Sequence, residues 1–254
     1  MAITIKSERE IELMAEAGKI LERVHNELEK ALRPGMSTKD IDTLGEEIIR
    51  SYGCIPSFLN YNGYPASICV SVNQEVVHGI PDKHRIIQEG DIVSLDAGVI
   101  YKGYHSDAAR THAVGEASEE AKKLIQVTKE CFFEGIKFAK AGNHLFDISG
   151  AIGRYAEERG YGVVRDLCGH GIGTALHEAP EIPNYEVGRK GVRLRPGMTL
   201  AIEPMINIGT YEVDWLDDDW TVVTRDGSLS AHYENTILIT EGEPRILSLT
   251  CENE

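Results

Sequence analysis

No stretch of this 254-residue chain approaches the roughly 20 consecutive apolar residues that span a bilayer. The longest apolar run lies within Asp91 to Ile100, and Met1 to Glu10 has no signal-peptide hydrophobic region. The expectation is a protein that stays out of the membrane, is not exported and works in the cytoplasm. Paired thiols are missing too. The five cysteines, Cys54, Cys69, Cys131, Cys168 and Cys251, are odd in number, scattered and without a CxxC pair. That pattern excludes a disulfide framework and a thiolate metal cage, and it fits reduced thiols in a cytoplasm. Basic charge is scarce as well. With 41 acidic against 26 basic residues and a net charge of −15, a broad face would repel a phosphate backbone, which argues against direct nucleic-acid binding. Any acids that hold metal would make the effective charge less negative than this sum.

What is present suffices for a substantial core, since 42% of the residues are hydrophobic and the length suits one domain, residues 1–254, or two fused halves. Ile11, Met14, Ala15, Gly18, Ile20 and Leu21 recur at helical spacing behind Ser7 and the acidic turn Glu8, Glu10, Glu12, which predicts a helix to about Leu32. A second helix is expected from about Thr38 to Ser51, and others at Glu119 to Ala139 and Leu145 to Arg159. Strands are expected at Ile68 to Val77, Asp91 to Tyr101, Tyr104 to Val114, Val163 to Leu167, Leu200 to Ile208, Trp220 to Thr224 and Ile237 to Thr240. Helices then strands thus occur twice. An offset of 107 residues superposes Gly35 on Gly142, Asp40 on Asp147, Ile41 on Ile148, Gly53 on Gly160, Gly90 on Gly197 and Asp96 on Glu203. The reading is an α+β chain of two related halves, about 7–115 and 118–250. If they pair about a pseudo-twofold axis, Asp96 and Glu203 face each other across the join.

Asp96 and Asp107 flank a predicted hairpin. A turn at Tyr101-Lys102 makes them directly opposed, and one at Lys102-Gly103 makes them diagonal neighbours. In both cases the two carboxylates share a face, where like charges repel by about 0.2–1 kcal/mol and a bound cation would reverse the sign. An arbitrary Asp pair is more often solvated, but Ile92-Val93-Ser94-Leu95 is apolar enough to bury Asp96. Further on, Gly169, Gly171 and Gly173 surround His170, with His177 beyond. Such glycines permit close backbone approach to a ligand and place His170 at a strand-to-turn boundary. Glu203 and Glu234 sit in apolar strand-like runs, where acids are rarely buried without a partner. Asp96, Asp107, His170, Glu203 and Glu234 together offer four carboxylates and one imidazole, enough to balance two divalent cations. An oxygen-rich set without thiolates suits Mn²⁺, Fe²⁺ or Co²⁺, with Zn²⁺ also compatible. Two such ions sharing a water generate a nucleophile at neutral pH, which is hydrolytic chemistry.

In ordered succession, Val77-His78-Gly79-Ile80-Pro81, Ser94-Leu95-Asp96-Ala97-Gly98, Gly103-Tyr104-His105-Ser106-Asp107, Gly169 to Gly173 with His177-Glu178, Ala201-Ile202-Glu203-Pro204 and Tyr233-Glu234-Asn235-Thr236 resemble the type I methionine aminopeptidases of the pita-bread fold. The resemblance runs from about Ser7 to Leu247. It implies two related α+β halves around a pseudo-twofold axis, with antiparallel sheet and flanking helices. It also implies an enzyme that removes the initiator methionine from nascent polypeptides. Asp96 would then chelate one metal, Asp107 and Glu234 would bridge both, and His170 and Glu203 would complete the second, Glu203 also shuttling a proton. His78 and His177 would contact the scissile amide, and the substrate's free α-amine would bind a metal. Phe58, Tyr61, Tyr64, Cys69, Leu176 and Trp220 would line the methionine pocket, and Asn73, Glu75 and Ser230 would sit near a monovalent cation.

The chain departs from the family's pattern at several positions. Leu176 stands where many relatives have Phe, Phe58 where several have Cys, and His232 and Asn235 where Gln and His are common, which bears on pocket shape and metal preference. Residues 211–219 carry Glu212, Asp214, Asp217, Asp218 and Asp219 without a basic residue, so any transient ribosome contact should avoid that loop. With no zinc-finger extension before Ser7 and no long insertion between His177 and Glu203, the expectation is the compact bacterial-style enzyme, acting as a monomer. Two alternatives remain: a proline-specific relative such as an Xaa-Pro aminopeptidase or prolidase, and a non-catalytic pita-bread binding module.

Overall fold

The computed structural model describes residues 2–249, so Cys251, counted among the reduced thiols, lies outside the described residues. Along the chain come α1 (Glu8–Ala31), α2 (Thr38–Ser51), β1 (Ile55–Pro56), β2 (Ile68–Val72), β3 (Glu75–Val77), β4 (Ile92–Tyr101) and β5 (Tyr104–Ala113). Then follow α3 (Glu119–Ile136), α4 (Leu145–Glu157), β6 (Gly162–Val163), β7 (Gly169–Gly171), β8 (Glu178–Ile182), β9 (Thr199–Ile202) and β10 (Met205–Asn207). The last strands are β11 (Val213–Trp215), β12 (Val222–Thr224), β13 (Ser230–His232), β14 (Glu234–Leu238) and β15 (Arg245–Ile246). The main sheet runs β1-β4-β5-β14-β9-β7-β8, with β2 on β4 and β15 on β14. Two three-stranded sheets, β13-β10-β6 and β11-β12-β3, flank it. This is an α+β architecture.

Local chemistry starts the helices where the sequence placed them. The Glu10 carboxylate accepts the Ser7 N–H at 2.7 Å, and Asp40 and Ser37 cap each other reciprocally at 2.8 and 3.1 Å. The Asp147 carboxylate accepts the His144 N–H at 2.8 Å at the start of α4. The 107-residue offset relates more than these caps. It carries α2 onto α4 and β1 onto β6, and it maps the isolated bridge Ser37–Ile86 onto His144–Arg193. The two largest hydrophobic clusters among the described residues follow this division. One packs α1 and α2 against β2, β4 and β5 through Leu21, Val24, Ile49, Val70 and Leu95. The other packs α3 and α4 against β9, β10 and β14 through Leu124, Phe132, Ile148, Leu200, Ile206 and Ile237.

Ile68 to Val77 forms strands as expected, β2 and β3, parted where Asn73 takes a left-handed φ of 59° and turns the chain. Two boundaries differ from the periodicity. The expected strand from Leu200 to Ile208 is broken after Ile202. Pro204 has no N–H to donate, and β9 joins the main sheet while β10 joins β6 and β13. The strand expected from Val163 to Leu167 stops at Val163, short of the exposed pair Arg165 and Asp166.

Gly18, inside α1, is where the C-terminal segment crosses the helix, and a Cβ there would overlap the carbonyl of Leu247. Helix propensity favours Ala over Gly by about 1 kcal/mol, but overlap with backbone costs about 1–3 kcal/mol and prevails. Gly18→Ala is therefore expected to lower the urea midpoint of unfolding, and an unchanged or raised midpoint would contradict this packing.

Candidate active site

Five adjacent strands of the main sheet each deliver one residue to a single place. The hairpin between β4 and β5 turns at Lys102-Gly103, both at positive φ (48° and 88°), as a two-residue turn of this hand requires. Gly98 therefore opposes Asp107 and Asp96 opposes Ala109, so the two aspartates are diagonal neighbours on one face. Glu234 opens β14, whose other neighbour β9 leads into Glu203 at the break before Pro204. The Asp107 N–H donates to Thr236 Oγ1 at 2.9 Å, and the Thr236 hydroxyl donates back to the Asp107 carbonyl at 2.9 Å, which locks β5 to β14. His170 is the middle residue of β7, paired with Ala201 of β9. Its flanking glycines have a different purpose from the one read from sequence. A Cβ on Gly169 would strike the carbonyl of Ala201 and one on Gly171 that of Ala179, so they admit neighbouring strands and not a ligand.

Ligand atoms of Asp107, His170 and Glu234 all lie within 4.8 Å of one another. Asp96 and Glu203 line the same cavity but fall outside that tightest group. His170 Nε2 stands 3.6 Å from Glu203 Oε1 and 3.8 Å from Asp107 Oδ2. These separations are too long for hydrogen bonds and suit donors that face a common cation. His170 Nδ1 is 2.8 Å from the Gly171 carbonyl, so it carries the proton and leaves the Nε2 lone pair toward the acids. Asp96 Oδ1, Asp107 Oδ1 and Glu234 Oε1 are buried without a hydrogen-bond partner. Such oxygens are costly unless a cation compensates them, and an all-oxygen-and-imidazole set fits a divalent metal. The nearby thiols do not compete for this role, since burial pushes Cys168 up to about 11 and Cys69 well above its ordinary value.

Above the acids lies a pocket of about 130 Å³. Phe58, Tyr61, Tyr64, Cys69, Leu176 and Trp220 line it together with His78 and His177 and with Asp96, Asp107, His170, Glu203 and Glu234. Asn62 completes the lining and was not anticipated. Its signal was the Asn62-Gly63 pair, which favours a turn, and Asn62 indeed takes a left-handed φ of 49°. The Trp220 ring meets Tyr64 edge-on at 5.1 Å and His78 at 6.2 Å, while His177 meets His170 at 4.2 Å. Tyr61 Oη lies 2.9 Å from His177 Nδ1. A second, wider groove of about 720 Å³ shares His78, His170, His177 and Glu203 with this pocket and opens outward past Cys168 and Glu181. His232, noted in the sequence as a departure from the family's pattern that bears on metal preference, is buried beside the acids, its Nε2 3.8 Å from Glu203 Oε2 and 3.9 Å from Glu234 Oε2.

Burial raises the Asp96 carboxyl from 3.8 to about 8. Burial, reinforced by neighbouring carboxylates, also raises Asp107, Glu203 and Glu234 well above their ordinary values. The imidazoles go the other way, burial holding His78 at about 4 and His170 and His232 at about 3, against the usual 6.5. A raised carboxyl contributes stability that is complete below its unfolded pKa and is lost as pH rises through the folded one. A depressed imidazole contributes stability that is complete above 6.5 and is lost as pH falls. Between 6.5 and about 8 only the carboxyls change the balance. The metal-free protein should therefore lose thermal stability as pH rises across that window, and excess Mn²⁺ should remove the slope. Scanning fluorimetry with chelator and with Mn²⁺ checks both, and a flat profile in chelator would contradict the burial of these acids.

Residues 12–241 match the model of metallopeptidase family M24. The methionine aminopeptidase of Clostridium acetobutylicum is 58% identical over 250 residues, covering 98% of this chain and all of the relative. Methionine aminopeptidase 1 of Bacillus subtilis is 51% identical over 239 residues, 94% of this chain and 96% of the relative. The crystal structure of the Thermotoga maritima methionine aminopeptidase superposes with a TM-score of 0.96 at 47% identity, covering 98% of this chain and 100% of that one. An Xaa-Pro dipeptidase from Bacillus anthracis superposes less closely, with a TM-score of 0.78 at 28% identity, and this chain covers only 62% of it. These matches favour the first reading over the proline-specific one, and they make the architecture the pita-bread fold. The chain belongs to the methionine aminopeptidases of metallopeptidase family M24.

Proposed function

We propose that this chain removes the initiator methionine from nascent polypeptides in the cytoplasm, as one catalytic unit of two related halves, about 7–115 and 118–250. The observation that supports this best is a small aromatic-walled pocket set directly on a buried acid and imidazole cluster. Apolar and aromatic walls of Phe58, Tyr61, Tyr64, Cys69, Leu176 and Trp220 accept a flexible, polarisable thioether. The acids at the base meet the cationic α-amine of a chain terminus, which favours cleavage at chain ends over cleavage within a chain.

Asp96, Asp107, His170, Glu203 and Glu234 would hold two divalent cations, drawn from Co²⁺, Mn²⁺, Fe²⁺ and Zn²⁺. Such ions would lower the pKa of a bound water to about 7 and so would supply a nucleophile at neutral pH. The residues common to the pocket and the outer groove include His78, His177 and Glu203, which supports the reading that a peptide held in both spaces would have its scissile bond beside them. Glu203, with 14% of its side chain exposed, is more accessible than Asp107 at 5% or Glu234 at 2%. Its carboxylate is suited to take a proton at Oε and deliver it to the departing amide nitrogen. The Tyr61 hydroxyl lies 2.9 Å from His177 Nδ1, and a neutral ring that accepts there would carry its proton on Nε2, where it would donate to the amide as charge develops. His78, neutral and held at a left-handed φ of 58°, would do the same.

The same reading puts a monovalent cation near Asn73, Glu75 and Ser230. The buried Asn207 Oδ1, without a partner, lies on the residue paired with Ser230. The partners would be polypeptide N-termini that begin with Met, with any ribosome contact made away from the acidic residues 211–219 and with neither nucleic acid nor membrane bound directly. The protein would act as a monomer.

Hydrolysis of Met-Ala-Ser should exceed that of Ala-Pro-Ala, and the reverse preference would overturn the proposal. Glu203→Ala should lower kcat by about 10²- to 10⁴-fold and weaken Mn²⁺ binding in calorimetry. His78→Ala should lower kcat by about 10²-fold while leaving Mn²⁺ affinity unchanged. Equal loss of metal in the two variants would contradict the roles assigned to them.

A further inference from the structure

The loop that joins β7 to β8 carries both Leu176 and His177, yet it has little regular structure to hold it. Its first residues are tied down by backbone bonds, from the Ile172 N–H to the Thr199 carbonyl at 3.2 Å and from the His105 N–H to the Gly173 carbonyl at 2.8 Å. From there to His177 the loop is held by the Gly173 N–H donating to the Ala175 carbonyl at 3.1 Å, by burial of Leu176, by the Tyr61 hydroxyl 2.9 Å from His177 Nδ1, and by the side chain of Glu178. One of its oxygens, Oε1, accepts the Ala175 N–H at 3.3 Å. The other, Oε2, accepts the Thr4 hydroxyl at 2.7 Å and the Lys6 ammonium at 2.6 Å.

Lys6 and Thr4 belong to the segment that precedes α1, and this segment is itself fastened. The Lys6 N–H donates to the Gly197 carbonyl at 2.8 Å, and the Gly197 N–H donates to the Ile239 carbonyl at 3.0 Å. The ammonium also meets Thr4 Oγ1. Both ion-pair side chains are nearly dry, at 5% and 10% exposure. Gly173 leaves room for them, since a Cβ there would stand 2.5 Å from Glu178 Oε1 and 2.6 Å from Lys6 Cε. A buried ion pair is seldom the most stable filling for such a space, because desolvation cancels most of its attraction and apolar residues of similar volume do as well or better. What it adds is direction. An ammonium and a hydroxyl converging on one carboxylate oxygen define where Glu178 sits, and His177 is the residue before it.

We propose that Thr4 and Lys6 form a strap that acts through Glu178 to hold His177 and Leu176 in register with the pocket, which makes Lys6 a positioning residue for the reaction. This rests on the reading of His177 as a residue that contacts the scissile amide. The strap couples the segment ahead of α1 to the site, and its effect falls on turnover. A ring displaced by about 1 Å loses aim at the developing charge, at a cost of up to about 10²-fold, while ground-state binding changes less.

The test is steady-state hydrolysis of Met-Ala-Ser by the Mn²⁺-loaded enzyme, with Tm measured alongside. Lys6→Met combined with Glu178→Gln removes both charges and leaves no unpaired ion to unfold the protein. It should lower kcat by about 10- to 100-fold with KM within about twofold. Lys6→Arg should recover much of that loss, and Thr4→Val, which removes one bond to Glu178, should show a smaller drop in kcat in the same direction. If kcat of the double variant stays within about twofold of the parent while Tm falls, the tie is structural only and the proposal is overturned. If His177→Ala also leaves kcat unchanged, the amide-contact role of His177 is what fails.

Discussion

Four carboxyl groups share one buried cavity with so few hydrogen-bond donors that they cannot all ionise there unaided. Asp96, Asp107 and Glu234 each keep an oxygen with no partner, and burial drives all four acids toward the neutral form. The surrounding structure makes this arrangement possible. Neighbouring strands lie about 4.8 Å apart, so acids on adjacent strands can share a cation only where register puts them on one face. The register of β4 against β5 does this for Asp96 and Asp107, and the Thr236 hydroxyl pins Asp107 beside the strand that carries Glu234. The break at Pro204 then frees Glu203 from the ladder at the sheet's edge of the cavity.

The imidazoles complement the acids because burial keeps them neutral. A protonated His170 could not present a lone pair, and its Nδ1 contact with the Gly171 carbonyl fixes which nitrogen does so. His177 faces a different partner, the Tyr61 hydroxyl. Two imidazole rings with centroids 4.2 Å apart thus have different groups behind them. Around them Trp220 packs against both Tyr64 and His78, so the apolar wall and the polar side of the pocket share one anchor.

The 107-residue correspondence explains how one site draws on distant parts of the chain. Helix α2 and strand β1 map onto α4 and β6, and the Ser37–Ile86 bridge maps onto His144–Arg193. Each set packs its own helices on its own strands, and β5 meets β14 between them. Asp96 and Glu203, equivalent under the offset, both line the cavity that straddles this meeting.

Much was legible in the residues because it is local. Ser7, Ser37 and Asp147 mark helix starts through bonds that reach three residues at most, and side-chain alternation put Asp96 and Asp107 on one face for either two-residue turn. The acids and the pocket aromatics were also readable, as residue types out of keeping with their surroundings or as parts of a family's ordered motifs. Other features depend on partners far away in sequence, and no local pattern encodes those. Whether Asp96 and Asp107 are opposed or diagonal rested on Lys102 and Gly103 both accepting positive φ. The purpose of the glycines beside His170 emerged only with Ala179 and Ala201 in place. The different partners of His170 and His177, and the reach of Lys6 to Glu178 across 172 positions, likewise required the assembled sheet. The composition and spacing of the chain chose which groups would meet. Long-range pairing chose their distances, and with them their chemistry.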